Sequence, residues 1–222
     1  MDYSDTTVIV PVKDEPAVAE VVRDVSRALR NCRIIVVYKG EVRLPKSEAA
    51  AKNMMLVRQR GSGKGNACIQ VSKFVRTKIM CLIDGDATYD ANDLKKVVAR
   101  VRDGADLALG DRLERLDRKA MPAFVELGNK IITDAANLLY RMHVRDSQTG
   151  LRAIRKRVFD TLMLKEQHFG IESEMNIKAR KRGFRIEEVP ISYYMRIGSS
   201  SKQMKLMDGI KLFLLNFKFL FG

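Results

Sequence analysis

The chain has 222 residues, 46% of them hydrophobic and 31% charged, enough to bury the core of one α/β domain. Its 41 Lys and Arg against 27 Asp and Glu leave a net charge of +14, which favours anionic partners (nucleic acid, an acidic membrane face or phosphorylated substrates) without choosing among them. Cys32, Cys68 and Cys81 are too few and too scattered for a disulfide framework and lack zinc spacing, and no uncharged apolar run reaches the ~20 residues needed to span a bilayer. The start, MDYSDTT, has neither the basic nor the apolar region of a signal peptide, so the expected location is the cytoplasm.

Thr7 to Val12 reads as a first buried strand, followed by the loop KDEP, with Pro16 suited to the first turn of a helix over Ala17 to Leu29. Arg33 to Val37 is a second strand and Met54 to Val57 a short third one, joined by a charged connection. The turn RGSGKGNA opens a helix that runs to about Phe74, and Ile79 to Ile83 is a fourth strand. A helix over Asn92 to Arg102 and a strand at Leu107 to Leu109 follow. Strands alternating with helices predict a mostly parallel sheet covered on both faces.

The fourth strand runs straight into Asp84-Gly85-Asp86. In open α/β sheets ligands bind beyond the carboxyl ends of the strands, and two neighbouring carboxylates call for a hard divalent cation. Two solvated aspartates, one capping the next helix, are the plainer alternative. The turn GSGKG is not an ATPase phosphate loop, because Gly65 follows Lys64 and Arg58 stands where that motif has its first glycine. It reads either as amides and a lysine able to meet a phosphate or as an ordinary helix-opening turn. Arg112 follows a strand end on the same sheet edge, and Arg196 and Lys202 flank a Gly-Ser stretch with the composition of a closing loop. Glu172 and Glu174 share a helix start but, at that spacing, do not face each other. His143 and His168 read as surface or packing residues.

The ordered set PVKDE, GSGKGNA, LIDGDA, LALGDR, NKIITDAANLL, DSQTGLRA, EEVPISY and MRIGSSSK, over residues 6–202, resembles the dolichyl-phosphate mannose synthase group. These are inverting family 2 glycosyltransferases with the GT-A, Rossmann-like nucleotide-diphospho-sugar transferase fold. The resemblance implies a catalytic domain over residues 1–202 and a Mg²⁺ or Mn²⁺ ion bridging the diphosphate of a nucleotide sugar. It places Pro11 and Glu15 in the nucleotide pocket, Asp84, Gly85 and Asp86 at the diphosphate and metal, and Asn137 near the metal. Arg112, Arg196 and Lys202 would meet the donor diphosphate or the acceptor phosphate. The sequence departs from the family twice. Tyr38-Lys39-Gly40 stands where an Asp-Asp-Gly pattern is usual, and Asn129-Lys130-Ile131-Ile132-Thr133 where Arg-Lys-Ile-Ile-Ser is usual, which leaves Lys130 as stand-in for an acceptor-binding arginine. The implied donor is GDP-mannose foremost, with UDP-glucose or another UDP-sugar next.

The implied acceptor is a polyprenyl or dolichyl phosphate, whose oxygen is already anionic and needs positioning rather than a general base. In the tail over residues 203–222, Met204, Met207, Ile210, Leu214, Phe217 and Phe221 form one helical stripe with Lys205, Asp208, Lys211 and Lys218 largely on another face. That reads as an interfacial helix holding the enzyme at the cytoplasmic face of a membrane, with a helix docked on its own domain or the start of a membrane region as alternatives. A family 2 transferase acting on a soluble phosphorylated acceptor is the rival enzyme. A nucleic-acid-binding protein is the rival outside enzymes, disfavoured by 7% aromatic residues and no Trp.

Overall fold

Seven strands form one sheet in the computed structural model, which describes residues 1–46, 51–114, 116, 119–195 and 206–220. They are β1 (Thr6–Lys13), β2 (Arg33–Lys39), β3 (Met54–Arg58), β4 (Ile79–Leu82), β5 (Leu107–Asp111), β6 (Arg152–Arg155) and β7 (Ile186–Pro190), in the order β3-β2-β1-β4-β6-β5-β7. The described helices are α1 (Val18–Ala28), α2 (Lys64–Ser72), α3 (Leu94–Arg102), α4 (Ala123–Tyr140), α5 (Lys156–Leu162), α6 (Ile171–Lys181) and α7 (Leu206–Lys218).

The expected covering of both sheet faces is present. Val8, Val10 and Val12 of β1 pack with Val18, Val22 and Val25 of α1 and with Leu94 and Val98 of α3. Ile9, one residue out of phase, packs on the other face with Cys68 and Val71 of α2 and Met175 of α6. Each fully buried aliphatic side chain contributes about 1.5–3 kcal/mol. The first five strands lie within a few residues of the expected ranges, because each is an unbroken apolar run closed on both sides.

One strand breaks the parallel pattern and shapes the ligand edge of the sheet. β6 runs antiparallel to both β4 and β5, with Leu82 opposite Arg152 and Leu109 opposite the same residue. Its amino end therefore lies beside the carboxyl ends of its neighbours. The segment 146–151 that leads into it is delivered to that edge.

The glycine turn before α2 opens the helix against protein. The amides of Gly65 and Asn66 donate to the carbonyls of His168 (3.2 Å) and Gln167 (2.8 Å), so the first turn of α2 is already capped by protein. A Cβ at Gly65 would sit 2.0 Å from the Glu166 carbonyl oxygen.

The tail helix is docked on its own domain along one face and open along another. Leu212 and Leu215 of α7 are buried with Ile132 of α4, and Asn216 Nδ2 donates to the Ile132 carbonyl at 3.1 Å. The Tyr140 hydroxyl donates to the Asn216 carbonyl, and Lys181 Nζ donates to the Phe219 carbonyl at 2.8 Å. Ile210, Leu214 and Phe217, three members of the expected stripe, remain exposed (45%, 58% and 40%). Met204 and Phe221 lie outside the described residues. No helix among the described residues is long and apolar enough to cross a membrane.

Two glycine substitutions should move stability in opposite directions. Gly65→Ala drives a methyl into backbone and should lower unfolding free energy by about 1–3 kcal/mol. Gly128→Ala, in the middle of α4 with nothing within 4 Å, should raise it by roughly 0.5–1 kcal/mol. Urea denaturation with the slope held common to all three proteins reads both shifts.

Candidate active site

The sheet ends in a carboxylate pair. Gly85 lets the turn after β4 lie flush on the end of β1, where a Cβ would stand 2.3 Å from Val12 Cγ1. Asp86 is fixed by its own turn: Oδ1 accepts from the Thr88 hydroxyl at 2.7 Å and the Thr88 amide at 3.3 Å. Asp84, with its side chain 28% exposed, receives Lys64 Nζ on Oδ1 at 2.5 Å. The same ammonium lies 2.8 Å from Glu172 Oε1 at the start of α6. Burial alone would push the Lys64 ammonium down, but Asp84 and Glu172 outweigh it and hold it well above the ordinary lysine range. Glu172 Oε2 is buried with no hydrogen-bond partner among the described residues.

The loop before β6 forms the neighbouring wall. A Cβ on Gly150 would lie 2.3 Å from Asp84 Oδ2, so only glycine lets this backbone reach the carboxylate. The Gly150 amide donates to Tyr89 Oη at 2.7 Å. Burial raises the Tyr89 phenol well above its usual range, which keeps it protonated. Tyr89 stands edge-on to Tyr193 with ring centroids 5.2 Å apart, and the Arg112 guanidinium lies 5.2 Å from the Tyr193 ring centre. Arg152, fully buried behind the loop, donates to the Thr149 carbonyl (Nε, 3.2 Å) and to Asn176 Oδ1 (3.1 Å). Asn176 Nδ2 returns to the Ser147 carbonyl at 2.8 Å, and Gln148 Nε2 donates to Ser173 Oγ at 3.0 Å.

Arg112 sits at the expected edge but is committed to protein. Its Nε and one terminal nitrogen donate to Asp146 at 2.6 and 2.8 Å, and Asp146 is wholly buried. Burial works against the charge, yet Asp146 holds the guanidinium well above its ordinary range. Its observed task is thus to pin loop 146–150. Asn137 closes a turn. Its amide donates to the Val144 carbonyl at 2.7 Å and accepts from the Val144 amide at 3.0 Å, closing the turn after α4. Lys130 lies exposed on α4, 3.4 Å from Asp134. Pro11 is at the end of β1 opposite Val37, and Glu15 is buried (8% exposed) in the loop after that strand. Arg196 and Lys202 lie outside the described residues. At Tyr38-Lys39-Gly40 a carboxylate is supplied by the neighbouring loop, since a Cβ on Gly40 would fall on Asp14 Oδ1.

Sequence reasoning did not place Lys64, Glu172, Gly150, Tyr89, Asp146 or Arg152 in one site. The sequence carried no clear signal for this grouping, since FGIESEM and DSQTGLR are no more charged than the rest of the chain. Glu174, by contrast, accepts from the Lys165 and Glu166 amides and faces Lys178, so the two glutamates do serve different partners.

The residues present fit a hard divalent cation. Asp84 and Asp86 offer only oxygen, both partly open, on either side of a glycine. Among the described residues no group of three or more His, Cys, Asp or Glu gathers to complete such a site, so further oxygens would come from a ligand.

Replacing Arg112 by Ala should strand the Asp146 carboxylate inside the protein and cost about 3–5 kcal/mol of stability. Arg112→Lys keeps the charge but not the two parallel bonds, so its midpoint in a denaturant titration should fall between those of the wild type and Arg112→Ala.

Residues 7–163 match the family described as Glycosyl transferase family 2. Glycosyltransferase AglJ of Haloferax volcanii is 32% identical over 201 residues, covering 88% of this chain and 66% of that relative, so the chain spans about two-thirds of its length. A dolichyl-phosphate hexose transferase of the same organism is 27% identical over 199 residues, covering 89% of this chain and 86% of that one. Among solved structures, glucosyl-3-phosphoglycerate synthase from Mycobacterium tuberculosis, in complex with Mn²⁺, UDP and glucosyl-3-phosphoglycerate, superposes with TM-score 0.75 at 17% identity, covering 95% of this chain and 79% of that one. The α/β sheet with its carboxylate-bearing edge is therefore a GT-A fold, and the chain belongs to glycosyltransferase family 2.

Proposed function

We propose that the chain is a metal-dependent inverting hexosyltransferase that moves a sugar from a nucleotide-sugar donor to a polyprenyl or dolichyl phosphate. The observation that carries this reading is the Asp84-Gly85-Asp86 carboxylate pair at the ends of β1 and β4, with loop 146–150 closing against Asp84. The dolichyl-phosphate hexose transferase that aligns over 86% of its length supports the lipid acceptor. GDP-mannose or a UDP-sugar is the donor. The solved relative that carries UDP and Mn²⁺ supports a nucleoside diphosphate with a divalent ion.

Mg²⁺ or Mn²⁺, when bound, neutralises charge developing on the leaving diphosphate as a Lewis acid. Asp84 and Asp86 hold that ion, and Pro11 and Glu15 border the nucleotide. Arg112 acts through Asp146 to hold the loop that walls the site, while Tyr89 fixes the Gly150 amide within it. Arg196 and Lys202 are assigned to the phosphates by their motif. The acceptor oxygen is anionic near neutral pH, so the work left to the protein is to align it with the anomeric carbon and offset charge repulsion.

The reading also gives an occupant to an apolar surface. Phe124, Leu127, Ile131 and Leu138 of α4 are exposed (65%, 59%, 49% and 82%) on one helical face. Ile210, Leu214 and Phe217 are exposed on α7, which packs against α4, and the same two helices carry exposed Lys130, Lys211 and Lys218, of which Lys130 pairs with Asp134 and Lys218 with Glu166. An apolar face rimmed by lysines suits an anionic bilayer surface, where each inserted side chain contributes up to about 1.5–3 kcal/mol and each lysine about 1 kcal/mol.

A screen of GDP- and UDP-sugars against polyprenyl phosphate with Mg²⁺ or Mn²⁺ tests the activity. One donor should yield glycosyl-phosphoryl-lipid, and Asp86→Ala should lower its rate about 100-fold or more, several kcal/mol of charge stabilisation being lost. Normal turnover by Asp86→Ala, or no product from any donor, rejects the assignment. For the membrane face, Leu214→Gln with Phe217→Gln should leave the thermal midpoint nearly unchanged and weaken co-sedimentation with phosphatidylglycerol vesicles. Undiminished co-sedimentation would assign those side chains elsewhere.

A further inference from the structure

Asp84 already has a cation. Lys64 Nζ lies 2.5 Å from Asp84 Oδ1 and 2.8 Å from Glu172 Oε1, with the lysine side chain 12% exposed and that of Glu172 6%. Gly150 closes a third side, since a Cβ there would stand 2.9 Å from Nζ. The second Glu172 oxygen has no hydrogen-bond partner among the described residues, so this carboxylate is directed at the lysine through its other oxygen. A divalent ion at Asp84 would face this ammonium across one carboxylate, in a place where little water screens the repulsion.

We propose that Lys64, anchored by Glu172, is a resident counter-cation of Asp84, so that the protein alone takes up a divalent ion poorly and the ion enters together with the donor diphosphate. The diphosphate supplies the negative charge that lets lysine and ion coexist, and the oxygens that the described residues do not provide. Glu172 is then a positioning residue, which retains Lys64 in the site when the ion takes its place on Asp84. Ion and diphosphate each favour the other's binding, and the coupling is reciprocal. The inference rests on the transferase reading and deepens it.

The test is Mn²⁺ binding followed by electron paramagnetic resonance, a readout independent of turnover. Lys64→Met frees Asp84 but leaves Glu172 buried without its cation, so the double variant Lys64→Met/Glu172→Gln, which removes the stranded Glu172 charge and keeps only that of Asp84, is measured beside it. Both should bind Mn²⁺ without nucleotide at least about fivefold more tightly than the wild type. Adding Asp84→Asn to the double variant should abolish that gain. If the wild type takes up Mn²⁺ with UDP or GDP, yet the double variant alone binds it no more tightly, the counter-cation role is overturned and the transferase reading stands. If no protein takes up Mn²⁺ under either condition, the transferase reading itself is overturned.

Discussion

Behind the strand ends, charged groups must be answered from within the protein, because almost no water reaches them. Arg152 and Asp146 are wholly buried, Glu172 is 4% exposed and Arg112 7%. A charge in such a place is tolerated only when paired and hydrogen-bonded. Two chains of partners meet the requirement. One runs from Asp84 through Lys64 to Glu172, with Arg152 behind it, and the other joins Asp146 to Arg112. Between them lies loop 146–150, whose backbone is fixed from both sides. The carboxylate edge is thus held by electrostatics that the apolar core makes unforgiving, and a change at one member propagates to the rest.

Helix α6 is the element through which these chains reach the outer helices. Its residues from Ile171 to Ile177 are all buried although four of them are polar or charged, because each of those four side chains meets a partner outside the helix through at least one atom. Glu172 points to Lys64, Ser173 to Gln148, Glu174 to the Lys165 and Glu166 amides, and Asn176 to Arg152 and Ser147. At its other end Arg180 donates to the Tyr140 carbonyl and Lys181 to that of Phe219. One short helix ties the candidate site to both helices that carry the exposed apolar faces.

The parts of the fold that could be read from the chain are those in which hydrophobicity and period coincide. β1, β2 and β4 are apolar runs, and α1 and α3 have regular apolar faces. β6 (RAIR) and β7 (IEEVP) are not legible in the same way because they are short and polar, and their strand character comes from pairing rather than from propensity. The Asp84-Gly85-Asp86 edge was legible because an apolar strand runs straight into it, although two solvated aspartates stayed the plainer alternative until the ordered set of motifs was read. The position of Lys64 was not legible. A lysine in a glycine-rich turn looks solvent-facing in the sequence, and only the antiparallel course of β6 and the approach of α6 bring Gly150 and Glu172 around it. Arg112 illustrates the intermediate case: its place could be read from the strand it ends, but its partner Asp146 is 34 residues away.

The two-sided character of α7 has a practical bearing on handling the protein. A greasy terminal helix invites removal to improve solubility. Here Leu212 and Leu215 roof Ile132, and Asn216 bonds the Ile132 carbonyl. A chain ending before α7 would uncover the inner face of α4 while Phe124, Leu127 and Leu138 remained exposed on its outer face. One sticky surface would be exchanged for a larger one. Colloidal stability is better sought by making the outer positions polar and leaving the inner seam intact.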